Sequence, residues 1–286
     1  MLDPLAPTAH KMLDSSNDKS QKPVAWITGS GAPRVGQCIA RHFASAGYRI
    51  VLHANQSLSF AETTADELRL QGTETMVVHG PIERPDFSQN SVQRIVREFG
   101  RLDVLVNAAA IWNWKRLEET TAEDVTRQFE VNSLGTFLCC QAAGLQMVKQ
   151  SSGGALILIG DWAVHRPYPD FAAYFIGKGS IETMTRSMAI EFASRNPAIR
   201  VNAILAGPVM LDDSISEDKA ISIANQSLLR RQGKPEHVAQ AAHFLATHEF
   251  ITGVCLNVDG GRSIYAGHSA DAIAHPTFVS RERKST

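Results

Sequence analysis

An excess of charge of either sign is what this sequence most clearly lacks. Its 28 Lys and Arg nearly cancel its 29 Asp and Glu, leaving a formal net charge of −1 over 286 residues. No basic block stands ready to neutralise a phosphate backbone, which argues against a nucleic-acid partner. Cysteine is scarce too. Cys38, Cys139, Cys140 and Cys255 show no metal-ligand spacing, and an adjacent pair suits no disulfide framework. A reducing cytoplasmic setting without a bound metal is the expectation. Long apolar runs are also missing: the longest, near residues 155–159, falls far short of the ~20 residues that a bilayer helix needs. The first 22 residues carry Pro, Ser, Asp and Lys without an apolar centre, so they do not read as a signal peptide. Residues 1–22 read as a mobile or surface-draped extension, and residues 266–286 as a similar polar tail.

Between those ends, short apolar runs alternate with helical patterns. Strands are expected at Val24–Thr28, Arg49–Ala54, Thr75–His79, 102–107, 155–159, 200–204 and 255–257. Helices are expected at 34–46, 60–71 (with Ser57 and Ser59 as candidate caps), 86–99, 121–149, 172–195 and 235–247. Strands this apolar, each followed by a helix, predict a parallel sheet covered on both faces. The expected fold is α/β, a single-domain Rossmann-type doubly wound sheet over residues 23–265, with ligands outside the carboxyl ends of its strands.

The first strand runs into a turn containing Gly29, Ser30, Gly31, Arg34, Val35 and Gly36. Glycines between a strand and a helix let backbone amides approach a pyrophosphate at the positive helix end, although a plain tight turn has the same composition. Arg34 adds a cation where a phosphate would lie. The second strand ends in His53, Ala54, Asn55, Gln56 and Ser57, without the acidic residue that an NAD site places against the ribose. His53, Asn55 and Ser57 are groups that a 2′-phosphate tolerates, so NADP(H) is expected over NAD(H).

Tyr174 and Lys178 stand four apart on an expected helix, hence on one face. An ammonium near a phenol favours the phenolate, which makes a usable proton donor and acceptor. Asp161 closes the strand before that helix, and Asn132 lies in the preceding long helix. With Asn107–Ala108–Ala109, Ala206–Gly207–Pro208 and Val258–Asp259–Gly260–Gly261, this ordered set resembles the short-chain dehydrogenase/reductase family over about residues 23–265. The resemblance implies an NAD(P)-dependent oxidoreductase with Tyr174 as proton donor and Lys178 on the nicotinamide ribose. Asn132 would support a relay water, and Asn107, Ala108, Ala109, Gly207, Pro208 and Val209 would line the cofactor. Met210 and Leu211 would begin the substrate loop. It further implies a homotetramer built on the helices at 121–149 and 172–195 and the final strand.

One position departs informatively. Most relatives carry Ser where this chain has Asp161. A hydroxyl donates to a carbonyl oxygen, whereas an ionised carboxylate repels a developing alkoxide and accepts from N–H. That favours a nitrogen heterocycle. The pattern is similar to pteridine reductases, which share the Asp–Tyr–Lys spacing, an Arg in the glycine turn and a Leu–His–(three)–Ser run, here Leu52, His53 and Ser57. The resemblance places Trp112 over the substrate ring and Arg34 between cofactor phosphate and substrate, with Trp114 and Trp162 as further pocket candidates. The expected substrate is a small pterin-like heterocycle. The alternatives are a carbonyl or alcohol oxidoreductase of the same family, or a non-catalytic NADP(H)-binding regulator. Departures include a glycine turn one residue longer than usual and His79–Gly80–Pro81 where an Asp is expected.

Overall fold

The computed structural model describes residues 22–211 and 215–265; the expected 266–286 tail and all but the last residue of the 1–22 extension lie outside them. Along the chain run β1 (Val24–Thr28), α1 (Val35–Ser45), β2 (Arg49–Ala54), α2 (Leu58–Leu70), β3 (Thr75–His79), α3 (Pro85–Phe99) and β4 (Val104–Asn107). Then come α4 (Ala122–Phe129), α5 (Thr136–Val148), β5 (Gly154–Asp161), α6 (Ala172–Ala193), β6 (Ile199–Ala206), α7 (Glu217–Asn225), α8 (Pro235–Thr247) and β7 (Cys255–Val258). All seven strands pair in parallel in the order β3-β2-β1-β4-β5-β6-β7.

The pleat explains the apolar runs. Successive side chains of a strand point to opposite faces, so a strand covered on both sides must be apolar at every position. In β1, Trp26 joins the core on the face of α3, α5 and α6, while its neighbours Ala25 and Ile27 join the core on the face of α1 and α8. Leu105 and Leu156 belong to the first core, Val106 and Ile157 to the second, and all four are fully buried. Each such side chain removed from water stabilises the fold by roughly 1.5–3 kcal/mol. The chain reverses its winding between β1 and β4, which opens a crevice at their carboxyl ends. Among the described residues no helix is long and apolar enough to cross a membrane.

Two elements differ from expectation. The single helix expected at 121–149 is α4 and α5 joined by a six-residue π-helical turn, Glu130–Gly135. The wide turn inserts an extra residue and carries Asn132 into the interior, a device that recurs at functional sites. The second is α7, which sequence periodicity does not reveal because none of its residues is fully buried. Ser57 does occupy the N-cap position of α2, but its hydroxyl makes no capping bond, and Ser59 lies inside the helix.

Candidate active site

The β1–α1 turn is packed so closely that only glycine fits at positions 29 and 36. Gly29 has φ +65°, and a Cβ there would lie 2.6 Å from Ala109 Cα, at the carboxyl end of the neighbouring β4. A Cβ on Gly36 would lie 2.4 Å from the Gly29 carbonyl oxygen. The first-turn amides of α1, Val35 and Gly36 among them, have no acceptor within the helix. Arg34 is exposed at the N-cap of the same helix. A turn whose glycine positions admit no Cβ, a helix N-terminus and an exposed guanidinium together fit a dinucleotide pyrophosphate.

His53, expected at the cofactor phosphate, is elsewhere in chemical terms. It is 2% exposed. Its Nδ1 accepts from the Gly29 amide at 2.9 Å, its Nε2 donates to the Gly80 carbonyl at 2.8 Å, and burial pushes its pKa down to about 4. Its carbonyl oxygen also accepts from Ser30 and Gly31. A neutral ring with both nitrogens engaged braces the turn and has nothing left for a phosphate. Asn55 is exposed, and its carbonyl accepts from His79 Nε2 at 2.8 Å; Ser57 is half-buried beside Gly31. Asn107 is likewise a brace: it accepts from Thr28 Oγ1 at 2.6 Å and donates to the Thr136 carbonyl at 3.0 Å. Ala108 and Ala109 are half-buried beside the glycine turn, and Thr28 Oγ1 accepts from the Ala109 amide.

Farther along the crevice, β5 and α6 bring Asp161, Tyr174 and Lys178 together. The Tyr174 hydroxyl donates to Asp161 Oδ2 at 2.7 Å, while Asp161 Oδ1 caps the turn that follows by accepting from the Ala163 amide at 2.8 Å. Lys178 donates to the Ile159 carbonyl at 2.8 Å. The expectation that Lys178 lowers the phenol pKa is reversed in this arrangement. Burial and the Asp161 carboxylate raise Tyr174 well above the ordinary phenol range, because ionising it would place two negative charges side by side. Burial also brings Lys178 down to about 8.

That last value carries a test. A lysine that titrates near 8 when folded and near 10.5 when unfolded binds fewer protons in the native state between those limits, so stability rises with pH across them. Wild type is expected to gain about 1.5 kcal/mol from this group between pH 8 and 9.5, and Lys178→Met to lose that slope. Urea unfolding at the two pH values checks it.

Asn132 is fully buried, and its side chain clamps one residue at two points. Its Oδ1 accepts from the Ile111 amide and its Nδ2 donates to the Ile111 carbonyl, both at 3.0 Å. The Asn132 carbonyl accepts from Thr136 Oγ1. The amide thus fixes the segment that carries Trp112.

Trp112 is 53% exposed and stacks on Phe171, with ring centroids 4.7 Å apart and planes 13° from parallel. Phe171, Tyr168 and Phe175 continue the aromatic wall to Tyr174 through edge contacts. Sequence reasoning missed these three; the cluster of aromatics on either side of Tyr174 was the available signal. Trp114 is exposed, and Trp162 is buried beneath Arg262. Gly207, Pro208 and Val209 wall a cavity of about 410 Å³ with Leu228 and Gly261. Asp161 and Tyr174 do not line it. Met210 is exposed and Leu211 half-buried at the mouth of the following loop.

Comparison with known proteins finds relatives that match most of the chain. The family profile described as enoyl-(acyl carrier protein) reductase matches residues 32–263. A short-chain dehydrogenase/reductase of Armillaria gallica is 34% identical over 86% of this chain and 98% of its own length. Glucose 1-dehydrogenase 2 of Bacillus subtilis is 31% identical over 84% and 95%. The crystal structure of acetoin dehydrogenase from Enterobacter cloacae superposes with a TM-score of 0.77 at 28% identity, covering 86% of this chain and 97% of that one.

Proposed function

This chain belongs to the short-chain dehydrogenase/reductase family, an oxidoreductase family with a nicotinamide dinucleotide cofactor, and from that premise we propose that it is an NADPH-dependent reductase of a pterin-like C=N heterocycle. The observation that carries the reading is the 2.7 Å hydrogen bond from Tyr174 to Asp161. It supports a proton donor that works beside a carboxylate, and an ionised carboxylate, which has no proton of its own to donate, accepts from ring N–H groups more strongly than a serine hydroxyl does. Bound NADPH would supply the hydride. Gly29, Val35, Gly36 and Arg34 would hold its phosphates, Gly207, Pro208 and Val209 its nicotinamide end, and Asn55 and Ser57 the adenosine end.

Tyr174 gives its proton to the substrate atom that gains charge, and Asp161 orients the ring by accepting from its N–H. Lys178, whose ammonium donates to the Ile159 carbonyl at 2.8 Å, would hold the nicotinamide ribose. The Trp112 and Phe171 rings offer a flat wall, which suits a planar substrate. Exposed apolar residues on α5 and α6, Phe137 and Ile176 among them, support a homotetramer as part of this reading.

A second reading, reduction of a carbonyl or oxidation of an alcohol, is favoured by relatives named glucose dehydrogenase and acetoin dehydrogenase. The test offers purified protein NADPH or NADH with dihydrobiopterin, dihydrofolate and a panel of ketones, following cofactor oxidation. Turnover of the pterins with NADPH is expected. Turnover of ketones alone overturns the heterocycle reading and leaves the family assignment intact.

A further inference from the structure

We infer that Arg262 is a positioning residue that ties helix α7, which follows the loop begun by Met210 and Leu211, to the turn after the catalytic strand end, and so sets how tightly substrate binds. Helix α7 buries none of its residues completely, so apolar packing does little to fix it. Its last turn is instead held by one guanidinium. Arg262 Nη1 donates to the Ile223 carbonyl at 2.5 Å, and Nη2 donates to Gln226 Oε1 at 2.7 Å. A cation there also complements the negative end of the helix.

The same guanidinium lies over the Trp162 ring, 4.8 Å from its centroid. Trp162 follows Asp161 directly and is 8% exposed, within the turn that Asp161 caps. Arg166, from the end of that turn, donates to the Arg262 and Tyr265 carbonyls and anchors the Arg262 backbone from below. One planar side chain, 9% exposed, therefore bridges three elements: the segment after β7, helix α7, and the turn beside the proton donor. The role needs a rigid fork that donates at two atoms while its face stacks on indole. Arginine meets that need and lysine does so only in part.

The kinetic half of this inference rests on the reductase reading, and the exchange half does not. Amide hydrogen exchange on the full chain is expected to speed up about tenfold over residues 217–226 in Arg262→Met, with β5 and α6 unchanged. On whichever substrate of the panel turns over, KM is expected to rise about tenfold with kcat and the affinity for NADPH within twofold. Arg262→Lys is expected to recover part of both effects, because an ammonium still reaches the Ile223 carbonyl. Unchanged exchange over 217–226 in Arg262→Met overturns the inference, as does a fall in kcat at constant KM. A wild type silent on every substrate sinks the reductase reading and leaves the clasp to be judged by exchange alone.

Discussion

Tyr174→Phe is expected to lower kcat by about 10³ while NADPH binds as tightly as in wild type, since loss of a positioned proton donor costs typically 10²–10⁴. The hydroxyl is the only atom removed. Tyr174 is 5% exposed and packs edge-on against Phe171 and Phe175, contacts that Phe retains. The donor cannot be replaced from nearby: the Lys178 ammonium is turned to the Ile159 carbonyl, and Asp161 accepts. Stopped-flow loss of NADPH absorbance reads the chemical step, and fluorescence titration reads cofactor binding. A variant that binds NADPH normally and keeps every activity of the wild type would reject the enzyme reading and leave a non-catalytic NADP(H)-binding regulator.

The second large effect is a change of substrate preference. Asp161→Ser is expected to lower turnover of a pterin-like substrate about a hundredfold and to raise turnover of a simple ketone about tenfold, values typical of gaining or losing one oriented hydrogen-bond partner at the reacting group. Serine is a good probe because the fold tolerates it. The turn after β5 is capped by Asp161 Oδ1 on the Ala163 amide, and a serine hydroxyl at an N-cap can accept the same N–H. What changes is the second oxygen. In wild type it accepts the Tyr174 proton at 2.7 Å and discourages charge on the phenol. With serine, a hydroxyl can donate to a carbonyl oxygen, and no carboxylate opposes ionisation of Tyr174. The pH profile should move with it, since the phenol falls towards its ordinary value. Ketone turnover that drops together with pterin turnover would mean that Asp161 serves the fold rather than the choice of substrate.

How far the site was legible depends on what each residue does there. Tyr174, Lys178 and Asp161 were legible because their order resembles a family pattern, and because a helix and a strand fix where they lie: four residues on one helical face, and one position at the end of an apolar run. They meet as their order implied. His53 was misjudged because its value lies in contacts that no local pattern encodes. A histidine at a strand end looks available until β3 brings Gly80 to one nitrogen and the glycine turn brings Gly29 to the other. Asn132, expected to support a relay water, has its side-chain amide committed to Ile111. Only the π-helical turn shows its amide gripping Ile111.

By itself, then, the sequence determined the α/β class, the parallel order of strand and helix, the glycine turn and the Tyr–Lys–Asp set. Periodicity and backbone freedom are local properties, and a covered strand or a Cβ-free turn must declare itself in residue type. Only the tertiary structure decided which groups remain for ligands. Donors and acceptors are consumed by partners far away in the chain, as Arg262 is by Ile223, Gln226 and Trp162. It also decided the sense of the pKa shifts. A lysine four residues away predicts an acidic phenol, but burial and a carboxylate at hydrogen-bond distance outweigh it, because charge in a low-dielectric interior is governed by what touches it.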